Sequence, residues 1–254
     1  PLVIAIDSST SASKAVVVDV RGHVLSEGKA DIDLLSPEMN HYEHDPVQWW
    51  TSTRDAITQA TAALEPADRA RVAALCITHQ RESFVLVDDD GNALRPAILW
   101  LDSRAGAEIK EFGSAHIHEL SGKPADTTPA LYKMAWLKRH EPACFLAALL
   151  NSQPMGFYAP SQLVQDARRH GVRVLPIAVT ASDWDCTLEE PLAPVHGVQL
   201  PQPAVRLGLR LVAGLRQDAA RRLVHARHDG PFASTEDLAL RARLERQDLQ
   251  ALAA

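Results

Sequence analysis

Two short stretches carry side chains whose types and spacing can do chemistry. In the first, an apolar run from Leu2 to Ile6 stops at Asp7, and Ser8, Ser9, Thr10 and Ser11 follow. Hydroxyls and free backbone N–H groups in such a turn can cradle phosphate oxygens; Lys14 adds charge, and Asp7 can hold Mg²⁺ through water. A polar hairpin turn is the plainer reading of the same residues. In the second, Gln80, Arg81 and Glu82 follow an apolar run from Val72 to Ile77. Strand ends in α/β sheets face the ligand crevice. An Arg–Glu pair there offers donors and acceptors together, which suits a polyol, and a structural ion pair is the alternative.

Other motifs fail. Neither GxGxxG nor GxxxxGK[ST] occurs, so dinucleotide and P-loop binding have no support. His41 and His44 flank Glu43 and Asp45 and read as a solvated loop rather than metal ligands. His116-Ile117-His118-Glu119 lacks the second helical histidine of a zinc protease and reads as surface. Asp88-Asp89-Asp90-Gly91 lacks calcium-loop spacing and reads as a hairpin tip. No metal site is expected.

The elements that must position these residues follow from pattern. Strands are predicted at Leu2–Ile6, Ala15–Val18, 24–32 and Val72–Ile77, with a turn at Arg21-Gly22. Asp45-Pro46 starts a helix, with Gln48 as the box partner and Trp50, Thr53, Ile57, Ala60 and Leu64 as its buried stripe. Phe84–Val87 and Ala97–Trp100 form a turn-linked strand pair, and helices occupy 104–112 and 130–140. Strands, a helix and a further strand predict α/β with a mixed sheet. The chain has 254 residues, 46% of them apolar, so it can bury a core. No apolar run reaches membrane length, which excludes a helical span as a partner surface. Three widely spaced cysteines fit no metal pattern and point to a reducing, cytoplasmic compartment.

The first stretch has a family likeness. VIAIDSSTSASKAVVVD, DPVQWW, ITHQRES and LRPAILWLDSRA resemble, in order and spacing, the N-terminal portion of FGGY-family carbohydrate kinases. For residues 1–142 this implies a truncated actin-like (ribonuclease H-like) domain and transfer of the ATP γ-phosphoryl to a sugar or polyol hydroxyl. By resemblance, Asp7, Thr10, Ser11 and Lys14 sit at ATP and Mg²⁺, and Gln80, Arg81, Glu82, Trp100 and Asp102 line the substrate pocket. Ser9 stands where many members have glycine, which would narrow the phosphate turn. The family's catalytic base lies well beyond residue 142, so no catalytic residue is expected in this chain. A sheet without its later strands exposes an edge, and self-association or aggregation is expected.

After Pro142 the composition shifts. Residues 1–142 carry a net charge of −7 and residues 143–254 a net charge of +1, and every base after Lys138 is arginine or histidine. Helices are predicted at Ala143–Leu150, from Pro160, from Arg216 to about His228, after Ser234 and around Leu249, with a strand at 172–179 and a proline-bearing connection at 189–203. FLAALLNSQPMGFYAPSQLVQDARRHGV, ASDWDCTLE and RLGLRLVAGL resemble bacterial error-prone DNA polymerase III alpha subunits. The likeness implies the end of the fingers and a helix-hairpin-helix region, hence a mostly α-helical segment. Asp183 and Asp185 look like a metal pair, but the family's catalytic aspartates lie upstream. At Val212, Gly214, Leu215 and Arg216, a glycine turn before a helix N-terminus can approach the phosphates of duplex DNA regardless of sequence. A purely structural hairpin is the alternative, and the +1 charge predicts weak affinity.

Trp136-Leu137-Lys138-Arg139-His140-Glu141-Pro142 suits either family. We hypothesise that a recombination or assembly join lies within it. Single sequencing reads of source DNA crossing codons 120–160 test this: continuous reads would rule out an assembly artefact.

Overall fold

In the computed structural model, residues 1–88, 90–189 and 202–253 are described. The chain divides into two compact units: residues 1–85 with 95–136, and residues 86–94 with 137–254. The division therefore falls inside a helix, at Trp136, and assigns the 86–94 turn to the second unit.

The first unit begins with β1 (Leu2–Ser8), β2 (Ala12–Asp19) and β3 (Val24–Asp31). Gly22 turns β2 into β3 with φ at +85°, a conformation costly for any residue with a Cβ. Next come β4 (Glu43–His44), α1 (Pro46–Ala62), α2 (Pro66–Arg69) and β5 (Val72–His79). The sheet order is β3-β2-β1-β5, with β1 antiparallel to β2 and parallel to β5. Leu2, Ile4, Ile6, Ala15 and Val17 form one apolar face, on which Ala56, Ala60 and Leu64 pack. The helix lies close because β3 presents Gly28, where a Cβ would collide with the backbone of Ala56 and Ala60. Ser13 faces the same side, and its hydroxyl is satisfied by Ser52 at 2.8 Å and Thr53 at 3.2 Å.

Four expectations are corrected here. Trp50 is 66% exposed, and Ser52, Thr53, Ala56 and Ala60 make the buried stripe instead. Asp45 caps α1 through the Val47 N–H, but Gln48 completes no box; its amide bridges the N–H and carboxylate of Asp33. The solvated loop around His44 is in fact core: Glu43 and His44 are buried, pairing antiparallel with β6 (Ala97–Ile98). The predicted Phe84–Val87 strand is reduced to single bridges, Phe84 to Ile98 and Val87 to Ala93. Beyond β6 lie α3 (Gly106–Phe112), α4 (Ala115–Ser121), whose histidines are at the surface as expected, and α5 (Ala130–His140).

The second unit contains α6 (Pro142–Asn151), α7 (Pro160–Arg169), β7 (Val174–Leu175), β8 (Thr187–Glu189), β9 (Ala204–Arg206), a 3-10 turn at Leu209–Leu211, α8 (Gln217–His228), α9 (Thr235–Arg241) and α10 (Arg246–Ala253). The predicted 172–179 strand shrinks to two residues because Pro176 lacks a donor. It joins a small sheet, β7-β9-β8. Residues 190–201 of the proline-bearing connection lie outside the described residues. Ala143, Leu146, Ala147 and Leu150 pack with Val164, Cys186 and Val205, while Leu209, Leu215, Leu223 and Leu238 build a second core around α8. Ser234 caps α9 through the Asp237 N–H at 3.2 Å, as its position predicts. No helix among the described residues is long and apolar enough to cross a membrane.

Two buried ionic groups fix the loops of the first unit. Arg104 donates to both oxygens of Asp102 and, at 2.7 Å, to Glu43, which also takes Arg95 at 2.6 Å. Arg104 lies 4.9 Å over the Trp136 ring. Lys133 is fully buried and donates to the carbonyls of Leu99, Trp100 and Thr128 at 2.9–3.1 Å. Burial lowers its pKa to about 8. The unfolded chain keeps this proton up to the ordinary value of 10.5. Between these values the unfolded state binds more protons, so this group makes stability rise with pH from about 8 upward. Lys133→Ala strips three carbonyls of their donor and is expected to cost on the order of 3 kcal/mol at neutral pH. Urea melts from pH 7.5 to 10 check both points: a variant as stable as the parent, with the same pH slope, would contradict them.

Candidate functional site

The parallel pairing of β1 and β5 sets Asp7 beside Thr78 and Ser8 beside His79, so both sequence stretches end at one edge of the sheet. There they line a cleft of about 620 Å³ with Trp100, Lys123 and Asp126. Of the residues singled out from sequence, Asp7, Thr10, Gln80, Arg81, Glu82 and Trp100 meet in it.

Hydrogen bonds order one wall. The Trp100 indole N–H donates to Thr10 Oγ1 at 3.1 Å, Thr10 donates to Gln80 Oε1 at 3.5 Å, and Ser83 donates to the same Oε1 at 2.9 Å. The Trp100 backbone N–H closes the ring on Ser83 Oγ at 2.9 Å. Asp7 is exposed and accepts from Thr78 Oγ1 at 3.2 Å. Glu82 has a positive φ of 64° and is already engaged: it accepts from the Ala130 N–H at the start of α5 and pairs with Lys123. Left-handed backbone at a glutamate is uncommon and is held here by those two contacts.

Three expected residues sit elsewhere. Ser11 is exposed outside the cleft, its carbonyl taking the Ile32 N–H. Lys14 lies opposite Asp7 on β2, pairs with Glu27 at 3.2 Å, and lines a smaller depression with Asp7. Asp102 is fully buried against Arg104 and the Tyr42 N–H, so it braces the loop and does not line the cleft. Ser9 keeps an ordinary φ and closes its turn on the Ala12 carbonyl, so serine fits this turn without strain.

Sequence reasoning missed Ser83, Lys123 and Asp126. The signal for Ser83 was adjacency to Gln80-Arg81-Glu82; Lys123 and Asp126 arrive from a distant loop and left none. It also missed His44, whose Nδ1 accepts the Trp49 indole N–H at 2.9 Å and whose pKa burial lowers. Among the described residues no group of three His, Cys, Asp or Glu is arranged for a metal ion. An exposed carboxylate beside hydroxyls, as at Asp7, suits a hydrated Mg²⁺ held through water.

In the second unit, Gly214 has φ at +82° between the 3-10 turn and α8, so its backbone requires glycine. Val212 and Leu215 lie in that connection, with Leu215 buried in the core around α8. Arg216 precedes α8 and is engaged by Asp248 at 3.2 Å and Glu245 at 3.0 Å. Hydrogen bonds from Arg216 hold Asp248 below the usual carboxylate range. Asp183 and Asp185 are bound to Arg227 and Arg210, at 2.6 and 2.7 Å. These are structural ion pairs.

The comparisons with known proteins fall on both parts of the chain. The helix-hairpin-helix motif model matches residues 171–254. An error-prone DNA polymerase of Burkholderia mallei is 59% identical over 149 residues, 58% of this chain and 14% of that protein. One from Azoarcus is 61% identical over 124 residues, 48% of this chain and 11% of that protein. The chain thus spans about a seventh or less of the length of these curated relatives. The xylulose kinase of Rhodospirillum rubrum has 30% identity and a TM-score of 0.54, covering 57% of this chain and 31% of that one. The "xyloylose kinase" of Brucella ovis has 26% identity at the same TM-score, covering 57% and 30%. The kinase family model matches residues 2–152. That match and the Burkholderia one together exceed the chain's length, so the two likenesses overlap. With more than half its length matched, and with a mixed sheet of the same fold, the chain belongs to the FGGY family of carbohydrate kinases through their N-terminal domain.

Proposed function

We propose that the cleft of the first unit recognises a sugar or polyol beside the phosphates of Mg²⁺-bound ATP. The observation that carries this reading is the junction of the Asp7–Thr10 turn with Gln80, Arg81, Glu82 and Trp100 in one cleft. Donors, acceptors and an aromatic face converge there, which is what a polyhydroxy ligand requires. Asp7 would hold Mg²⁺ through water and Thr10 would meet the phosphates, while Ser11 and Lys14, which the sequence reading also put there, lie outside the cleft lining. Mg²⁺ supplies charge neutralisation on the transferring phosphoryl. Asp102 acts indirectly, by fixing the loop that carries Trp100.

Asp7, Glu82 and Asp126 each already accept a hydrogen bond inside the protein. By the family resemblance the base that takes the acceptor's proton lies well beyond residue 142, so residues 1–254 alone should bind ligand without turnover. Millimolar ATP–Mg²⁺ or a matching polyol should raise the melting temperature. Arg81→Ala should remove the polyol effect and Asp7→Ala the nucleotide effect. No shift with either ligand would sink this reading, and sugar-dependent ADP release abolished by Asp7→Ala would overturn the absence of turnover. Three cysteines, none in a disulfide among the described residues, suit a reducing cytoplasm.

The same unit should self-associate. β5 ends the sheet, with Leu75 53% and Ile77 47% exposed. An apolar edge strand is a template for pairing with a second copy. Light scattering at moderate concentration should detect dimers or larger species, and a monodisperse monomer contradicts this.

A second reading rests on a separate observation, the left-handed Gly214 turn before α8 within a matched helix-hairpin-helix motif. It would contact a duplex DNA backbone without base preference. Arg216 is held by carboxylates, so few bases remain to neutralise phosphates. The logarithm of affinity should fall against log salt with a slope of roughly −2 to −3. Gly214→Val should weaken binding to all duplexes about equally; a strong preference for one sequence refutes the reading.

A further inference from the structure

The polar groups of the first unit's cleft differ in how much of their bonding capacity is already used. Its acceptors are engaged. Gln80 Oε1 takes Thr10 and Ser83, Glu82 takes the Ala130 N–H and the Lys123 ammonium, and Asp126 takes the Thr128 N–H. The open groups are donors. Arg81 lines the cleft and, among the described residues, makes no hydrogen bond and no ion pair; the amide N–H groups of Gln80 are likewise unused. A guanidinium presents five N–H donors in a planar fork that fits both oxygens of one carboxylate.

The charges balance in the same sense. With Asp7 left to the metal, the lining holds two cations, Arg81 and Lys123, and two carboxylates, Glu82 and Asp126. Glu82 is neutralised by Lys123, and Asp126 supports the charge of the buried Lys133 ammonium. The charge left over is that of Arg81. Without Lys123, a bare carboxylate one residue away would claim the guanidinium or repel an anionic ligand. We propose that the polyol recognised in this cleft is a polyhydroxy monocarboxylate, an aldonate, whose carboxylate pairs with Arg81, and that Lys123 sets the preference by neutralising Glu82. This rests on the sugar-or-polyol reading of the cleft and narrows it. A neutral polyol gains only ordinary hydrogen bonds there, whereas a carboxylate gains charge-assisted ones. A phosphate ester carries nearly two negative charges at neutral pH, more than one guanidinium balances.

Calorimetric titration of the whole chain tests this, with xylonate and gluconate each set against its neutral polyol, xylitol and glucitol. At least one aldonate should bind roughly tenfold tighter than its polyol. Raising salt from about 50 to about 500 mM should weaken aldonate binding and leave polyol binding unchanged. Glucitol 6-phosphate should bind more weakly than gluconate. Lys123→Met should lower the acid-to-polyol affinity ratio roughly tenfold, and Lys123→Arg should restore it. A lysine that only tethered its loop would weaken both ligands equally and leave the ratio where it was. The Lys123 side chain is half exposed, so its variants should keep the parent melting temperature; if Lys123→Met does not fold, the parent's ratio and salt dependence decide. Polyols binding as tightly as aldonates, or an unchanged ratio in Lys123→Met, overturn the proposal and leave the cleft reading standing. A phosphate ester bound as tightly as the acid assigns Arg81 to a phosphate and also overturns it. Binding of none of these ligands sinks the cleft reading itself.

Discussion

The parallel ladder between β1 and β5 is the constraint from which the kinase-like cleft follows. Because Ser8 stands opposite His79, the turn after β1 and the loop after β5 leave the sheet side by side. Trp100 and Lys123 are tied to those two loops, through Thr10 and Glu82. A one-residue slip would move Ile4 and Ile6 off the α1 face, so the apolar core that holds the helix also holds the register of the cleft.

The loops beyond the sheet are fixed by buried charge. Glu43, a residue that reads as solvated in sequence, joins Arg95 and Arg104, and Asp102 completes the knot. Lys133 holds the carbonyls of the segment that carries Trp100. Removing one partner from such a group leaves an uncompensated buried charge, so these residues specify one loop conformation even where their net contribution to stability is small. The Trp100 indole reaches Thr10 from a backbone whose carbonyl Lys133 holds.

In the second unit arginine takes the equivalent part. Arg206, Arg210, Arg227 and Arg241 each bind a carboxylate or backbone carbonyls between neighbouring segments. This explains why a region with a dozen arginines is nearly neutral in effect as well as in count: many of its guanidinium groups are turned inward to hold short elements together.

Sequence alone determined the mixed α/β character, the strands around the Asp7 turn, the helix after Asp45, and the two family likenesses. Each of these rests on local pattern: alternation, capping residues, or a contiguous motif that reads the same in any context. It also supplied six of the cleft's residues, because they lie within three short motifs. Tertiary structure decided the rest. Asp102 and Arg81 look alike as polar residues after apolar runs, yet one is buried by an arginine two positions away and the other faces a cleft. Lys123 and Asp126 reach the cleft from a loop about forty residues after β5 in sequence, and no local pattern encodes that return. Trp50 lies outside the buried stripe, and where Gly28 lets the helix approach the sheet the stripe is made of the small residues Ala56 and Ala60. Periodicity names the face of a helix; the closeness of its neighbour decides which residues can occupy it.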